Sequence, residues 1–388
     1  MDFLNIICTL TPETPSDPID WDRLETLFGT FFSDMRATQQ NPAFHAEGDV
    51  FTHTQMVCRA LNEMAEFHAL PQIEKTQLFT AAVLHDVGKI RTTRLEDGAW
   101  TSPRHSEIGS QMARTYLWQT CGLCGTSEKT LFRETVCAYI RGHMMPEHFE
   151  KQKNPERKAR ETAAHGKLLS DFSWERLCML SQADILGRIA PDIQRQLDAL
   201  QICRWMVQEA DCFTAPFAFA DAFSARAYLS GRNILPDQKL YDDTWGEVIL
   251  VSGLPGTGKD TWIRENLPEL PMVSLDEIRR ELRLPPDSHS RGLIRTAQER
   301  AKAFLRQKQP FVWNATNLSA DIRQNHVRLF EQYGARVRIV YLETDWTQRV
   351  ERNQNRPDAV PESAVEKMLS GTVPPAPHEA QTVEWIST

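Results

Sequence analysis

The sequence predicts two domains of different class in series: a mostly α-helical half at residues 1–232 and an α/β half at 246–388, with a parallel sheet and flanking helices. A linker at 233–245 separates them. Three observations predict this. The 388 residues exceed the size at which a single core keeps growing. All eight cysteines lie before residue 213 and eight of the eleven histidines before residue 170, so the side-chain chemistry changes near the middle. The apolar spacing changes as well, from a helical period to short apolar runs that alternate with helices.

In chain order, helical periodicity runs through Leu24–Phe32, Gln55–Phe67, Thr76–His85, Ser106–Trp118, Leu131–Ile140 and Leu177–Ile185, with a longer run from Asp192 to Glu209. Ser230 to Asp243 is polar, broken by glycine and proline and without a clear period, which places the boundary there. Strands are expected at Val248–Val251, Met272–Leu275, Phe311–Asn314 and Val337–Leu342. Between and after them come a Gly-rich loop with its helix, helices across Glu277–Gln307, a helix at Ala320–Tyr333 and two more helices at the end. Short apolar strands alternating with helices argue for a parallel sheet covered on both faces.

Bulk properties exclude some classes. A net charge of −8 gives no global basic field for nucleic acid or anionic lipid, so any polynucleotide contact has to be local. The cysteines are irregularly spaced, as befits free thiols in a reducing compartment, and the lone Cys121-x-x-Cys124 pair lacks the second pair that a zinc site needs. With no run of about 18 apolar residues and no basic-then-apolar leader, a cytoplasmic protein without membrane contact is expected.

The first constellation is Ala81-Ala-Val-Leu-His85-Asp86-Val-Gly-Lys89. On a helix His85 and Lys89 share a face and Asp86 lies about 100° round, so all three can aim at one pocket. Burying adjacent His and Asp on an apolar helix is costly without a metal or a partner. His53, His105, His143 and Asp184 add imidazoles and a carboxylate from other helices. Such ligands suit zinc, manganese, cobalt, iron or nickel, and Asp86 can bridge two ions. Lone His68, His148 and His165 read as surface or satisfied core residues. His45 and Asp49 are candidates for substrate contact, against the plainer reading of exposed loop polars.

In order, His53, His85-Asp86, His105, His143 and Asp184 reproduce the pattern H…HD…H…H…D, and residues 40–200 resemble the HD phosphohydrolase superfamily. The resemblance implies a helical bundle with one or two metals that activate water for attack on a phosphoester. It makes Lys89 a clamp on the scissile phosphate and Asp184 a ligand able to accept a proton.

The second constellation is Gly253-Leu-Pro-Gly256-Thr257-Gly258-Lys259 between a strand and a helix, a phosphate-cradling loop in its confirming context. Glycines let backbone N–H groups converge on phosphate oxygens, and Lys259 reaches the β- and γ-phosphates. Asp260 follows the lysine where Ser or Thr normally holds magnesium, with the hydroxyl one later at Thr261; Asp260 is a candidate magnesium holder, directly or through water. Asp276 follows a strand at the sheet's carboxyl edge and can accept a proton from an attacking hydroxyl, with Arg279 one turn on. Arg349, Arg352 and Arg356 recur at three and four, giving either a solvated cationic face or a phosphate-clamping lid.

This order, with Asn314-Ala-Thr316-Asn317 after a strand and Ala359-Val-Pro361 after the arginines, resembles the phage-type 5′-OH polynucleotide kinases over residues 245–375. The resemblance implies ATP or another nucleoside triphosphate with magnesium. It implies Asp276 as general base, Arg279 on the acceptor's phosphate, Lys259 and Thr261 on the triphosphate, and Arg352 and Arg356 as lid arginines. The two halves together resemble bacterial end-healing enzymes. That implies RNA or DNA strands with 5′-hydroxyl and phosphate-terminated ends as substrates, and a polynucleotide ligase as functional partner. A nucleoside or nucleotide kinase fused to a nucleotidase, and a nucleotide-sensing regulator, are the alternatives.

Overall fold

In the computed structural model, which describes residues 2–284 and 291–388, the chain divides into two compact units. One is Met1–Leu123 with Leu131–Phe217, the other Cys124–Thr130 with Ala218–Thr388. The division falls earlier than the linker expected at 233–245. Helix Ala222–Leu229 belongs to the second unit, where buried Arg226 pairs with Glu331 (2.8 Å) and donates to the His378 carbonyl (2.9 Å). No helix among the described residues is long and apolar enough to cross a membrane.

The first unit is helical. Its central helix, Gln72–Leu84, is buried from Lys75 to Leu84, because Leu78, Phe79, Ala81, Ala82, Val83 and Leu84 leave no polar face for solvent. Val50–Asn62 and Trp174–Leu186 pack against it, Ile193–Glu209 packs on Trp174–Leu186, and His105–Gln119 meets the short helix Lys89–Thr92. Two of these start on side-chain caps: the Asp49 carboxylate accepts from Thr52 N (2.8 Å) and the Ser173 hydroxyl from Arg176 N (3.3 Å), each satisfying a helix-start donor. One departure from the mostly helical expectation is a hairpin of β1 (Arg94–Glu96) and β2 (Ala99–Thr101). Its turn is made by Asp97 and Gly98, both at positive φ (50° and 78°).

The second unit is built on a five-stranded parallel sheet of β3 (Glu247–Ser252), β4 (Met272–Ser274), β5 (Phe311–Asn314), β6 (Arg336–Glu343) and β7 (Thr382–Ser387), in the order β4-β5-β3-β6-β7. Successive strand residues serve opposite faces. Val248, Leu250, Phe311, Trp313, Val337 and Ile339 enter one core, and Ile249, Val251, Val312, Val340 and Leu342 the other. Burial on both sides is why these strands carry short unbroken apolar runs at Val248–Val251, Phe311–Trp313 and Ile339–Leu342. β7 is a strand where the sequence reading placed only helices. Residues 285–290 of the helical span expected across Glu277–Gln307 lie outside the described residues; on either side of them are helices Leu275–Glu281 and Arg291–Arg306.

Candidate functional site

The first unit brings His53, His85, Asp86, His105, His143 and Asp184 together. His53 sits on helix Val50–Asn62, His85 and Asp86 follow Gln72–Leu84, His105 opens its helix, His143 follows Ser127–Gly142 and Asp184 lies on Trp174–Leu186. The stretch from His85 to Lys89 is not one helix, as its spacing suggested; it is a turn between Leu84 and a short helix at Lys89–Thr92. The cause is close approach. A Cβ on Gly88 would collide with the His105 carbonyl and Gly109 N, so the two ligand-bearing segments meet backbone to backbone at Gly88. Gly187 plays the same part, since a Cβ there would strike Val57 on the His53 helix.

Each imidazole is oriented through its Nδ1–H. His85 Nδ1 donates to Ala82 O (2.8 Å), His105 Nδ1 to Ser102 O (2.9 Å), His143 Nδ1 to Ile140 O (2.7 Å) and His53 Nδ1 to Gly187 O (3.1 Å). The Nε2 lone pairs therefore converge. His53 and His85 Nε2 lie 3.5 and 3.3 Å from Asp86 Oδ2, and His105 and His143 Nε2 lie 3.4 and 3.9 Å from Asp86 Oδ1. Asp184 Oδ1 is 3.0 Å from His53 Nε2.

Lone pairs from imidazoles facing carboxylate oxygens repel one another unless a cation or a proton lies between them. Asp86 Oδ1 is moreover buried without a hydrogen-bond donor. The donor set thus fits divalent metal, with Asp86 common to a His53/His85 group and a His105/His143 group. Burial lowers the His143 pKa to about 3, which keeps it a neutral ligand. Burial would raise Asp86, but the Lys89 ammonium foremost outweighs it and holds the carboxyl well below its usual range.

The remaining charges near the centre are buried too. Lys89 Nζ is 2.7 Å from Asp86 Oδ2 and donates to Gln40 Oε1 (2.7 Å), so it engages the carboxylate common to both histidine groups. Arg188 pairs with Asp184 and with Glu147 (3.0 Å). His45 does lie beside the centre, its Nδ1 2.8 Å from Glu47 Oε1, which is 3.1 Å from His53 Nδ1. Asp49 instead caps its helix, bonded to Thr52 N and Oγ1 (2.8 and 2.9 Å). The sequence reading missed Gln40, Glu47, Glu147 and Arg188. Only Glu47, between His45 and His53, stood where a carboxylate supporting a histidine would be sought.

In the second unit the carboxyl edge of the sheet gathers the phosphate loop after β3, Asp276 after β4 and Asn314 at the end of β5. Gly256 is at φ 89°, and a Cβ there would collide with the Arg349 carbonyl. Thr257 is buried, its hydroxyl donating to Leu254 O (2.9 Å) within the loop. Asn317 Nδ2 donates to Val251 O (2.7 Å) and Gly253 N to Thr316 O (3.0 Å), so these two residues brace the loop from the neighbouring strand end. Asp260 is exposed and accepts from Asn314 Nδ2 (2.7 Å), while Thr261 beside it is exposed.

Lys259 folds its ammonium back onto Gly253 O and Leu254 O (3.0 and 2.9 Å), and burial lowers its pKa to about 8 against the opposing pull of Asp276 and Asp260. Phosphate oxygens would restore the proton. Triphosphate binding above pH 8 is therefore expected to take up a proton, seen as a buffer-dependent binding enthalpy in calorimetry and absent near pH 6.5, where Lys259 is already charged.

Asp276 sits in the first turn of helix Leu275–Glu281 and lines a cleft with Arg279, Arg280, Leu284, Arg356, Asp358 and Val360. Its carboxylate pairs with Arg279 and, at 3.0 Å, with Arg356. Burial alone would raise it, but Lys259, Arg279 and Arg356 together hold Asp276 below the usual range. Arg352 stands beside the loop, its Nη1 3.4 Å from where a Gly258 Cβ would be. Arg349 is not part of that cationic face. It is buried, its guanidinium stacked 4.0 Å over Trp346 and paired with Glu362.

Residues 50–171 match the family model of the HD domain, and residues 248–375 match that of an AAA domain. No curated protein matches the chain. The first unit is thus a helical HD domain with a candidate divalent-metal site, and the second a P-loop kinase-like domain on a parallel sheet. Together they support a hydrolase and a kinase in one chain.

Proposed function

We propose that this protein heals broken polynucleotide ends, phosphorylating a 5′-hydroxyl with ATP in the second unit and hydrolysing a 2′,3′-cyclic, 2′- or 3′-phosphate in the first. The observation that carries the kinase half is Asp276, ionised beside Lys259 and flanked by Arg279 and Arg356 in one cleft. An acceptor's own phosphate competes for Arg279 and releases Asp276 to take the proton of the 5′-hydroxyl. The hydroxyl oxygen then bonds to the γ-phosphorus as the γ-phosphorus bond to the bridging oxygen breaks, and ADP leaves. Lys259, Arg352 and Arg356 offset charge on the transferring group, Thr261 supports the triphosphate, and Asp260 would help hold magnesium. Asp260→Ser is expected to raise the magnesium concentration needed for half-maximal rate; full activity at an unchanged requirement would remove Asp260 from that role.

In the first unit His53, His85, Asp86, His105, His143 and Asp184 would hold one or two transition-metal ions (Mn, Co, Ni, Zn or Fe). When bound, these acidify a water and neutralise phosphoryl charge. Lys89 and Arg188 add positive charge against the ligand carboxylates, and His45 lies at the rim. The pairing of the two chemistries resembles the bacterial HD-Pnk enzymes. It suits a cleaved RNA, whose two ends need opposite treatment before a ligase can seal them.

Acceptor choice tests the reading. Transfer from labelled ATP to a 5′-OH oligonucleotide should exceed transfer to free nucleosides by at least about tenfold in kcat/KM. The reverse preference would favour a small-molecule kinase, and ATP binding without transfer to either a regulatory module.

A further inference from the structure

β7 and the residue that follows it lie beyond the AAA domain match, which ends at 375, yet they reach the phosphate loop. β7 pairs in parallel with β6 from Arg338↔Thr382 to Glu343↔Ser387, so the strand delivers its end to the carboxyl edge of the sheet. There Thr388 N donates to Glu343 O (2.8 Å), fixing the backbone. The Thr388 hydroxyl donates to Thr257 O (3.0 Å), within the loop, and lies 3.3 Å from Arg352 Nη1, which donates to it. Thr344 Oγ1 donates to the Thr388 carbonyl and accepts weakly from Arg352 (3.5 Å), and Gln348 Oε1 accepts from Arg352 Nη2 (3.3 Å).

A hydroxyl is the one small group that can donate to a carbonyl and accept from a guanidinium through a single atom. The Thr257–Gly258 peptide is planar and trans, so anchoring its carbonyl on Thr388 turns the Gly258 N–H to the opposite side. The same oxygen holds Arg352 against the loop at Gly258, at the start of helix Lys259–Asn266. Loop amide and lid cation are thus referenced to one atom.

We propose that Thr388 is a positioning residue that couples the phosphate loop to the Arg352 lid and so sets affinity for the nucleoside triphosphate. This rests on the triphosphate reading of the loop and not on any choice of acceptor. Thr388 touches no reacting atom; it acts through the Thr257–Gly258 peptide and through Arg352.

The test is binding of MgATP by calorimetry to the full chain and to Thr388→Val and Thr388→Ser, with thermal melting of each alongside. Valine keeps the shape and the methyl group but loses the hydroxyl. Thr388→Val should bind MgATP roughly tenfold more weakly with its melting midpoint retained, as expected for losing a hydrogen bond to a charged group. Thr388→Ser should bind as the wild type does. In an Arg352→Ala background the further loss from Thr388→Val should shrink, because the two act as a unit.

Wild-type affinity in Thr388→Val would overturn the proposal. So would Thr388→Ser failing as badly as valine, which would assign the effect to methyl packing. A wild-type chain that binds MgATP but phosphorylates no polynucleotide would defeat the acceptor reading while leaving these affinities to decide the role of Thr388. A chain that binds no MgATP would overturn both.

Discussion

Replacing Asp276 by alanine is expected to lower ATP-dependent phosphorylation of a 5′-hydroxyl end by about 10²- to 10⁴-fold, the usual worth of a positioned general base. Phosphate removal by the first unit should be unaffected. Asp276 is the carboxylate that meets Arg279, Arg356 and Lys259, so its loss removes a proton acceptor and takes a balancing charge from all three cations. MgATP affinity should therefore hold or improve while kcat falls. Asp276→Asn should match the alanine variant in rate, because the amide keeps the shape and loses the proton-accepting charge. If Asp276 only braced the two arginines, asparagine would retain most of the rate and both variants would lose ATP affinity. Measuring kcat and MgATP affinity separately decides between these roles.

The second large effect falls on Asp86. Asp86→Asn is expected to empty the first unit of metal and reduce its phosphohydrolase rate by on the order of 10³-fold or more, beyond the 10- to 100-fold typical of residues that only support ligands. Asp86 stands between His53 and His85 on one oxygen and His105 and His143 on the other, so its carboxylate serves both groups. Asparagine is the informative substitution, since it retains bulk and an acceptor for Lys89. Alanine would leave buried Lys89 facing Gln40 alone and is expected to destabilise the unit by about 3–5 kcal/mol. Metal content by elemental analysis and the rate on a phosphate-terminated oligonucleotide should fall together. A metal-replete Asp86→Asn protein would show that the histidines suffice.

What was legible in the sequence followed from how local each signal is. The parallel sheet could be read because β3, β5 and β6 are covered on both faces and so carry the apolar runs Val248–Val251, Phe311–Trp313 and Ile339–Leu342. β7 escaped because all its residues, Thr382 to Ser387, are only half-buried at the sheet edge and follow the proline-rich 374–377. The hairpin carries a readable sign in Asp97-Gly98, but its strands, Arg94-Leu-Glu and Ala-Trp-Thr101, are too short for a period of two to register.

The histidine and aspartate pattern picked out residues that the fold gathers at one candidate metal site, since ligand types must recur whatever the intervening chain. Their mutual orientation came from Gly88 and Gly187, whose roles depend on which backbones approach them. Arg349 misled for a related reason. Helical spacing put it with Arg352 and Arg356, but Trp346 and Glu362 draw it inward, a tertiary choice that periodicity cannot encode. The engagement of Lys89 by Asp86 and of Asp276 by two arginines likewise depends on contacts across elements.

The most direct test of two repairs by one chain uses a single RNA strand bearing a 5′-hydroxyl and a 3′-phosphate. The strand is incubated with ATP, magnesium and manganese and read by mass spectrometry of its terminal fragments. The wild-type protein should add one phosphate at the 5′ end and remove one at the 3′ end. Asp276→Ala should abolish only the addition and Asp86→Asn only the removal. Loss of both events in either variant, or a strand left unchanged at both ends by the wild-type protein, would contradict the account.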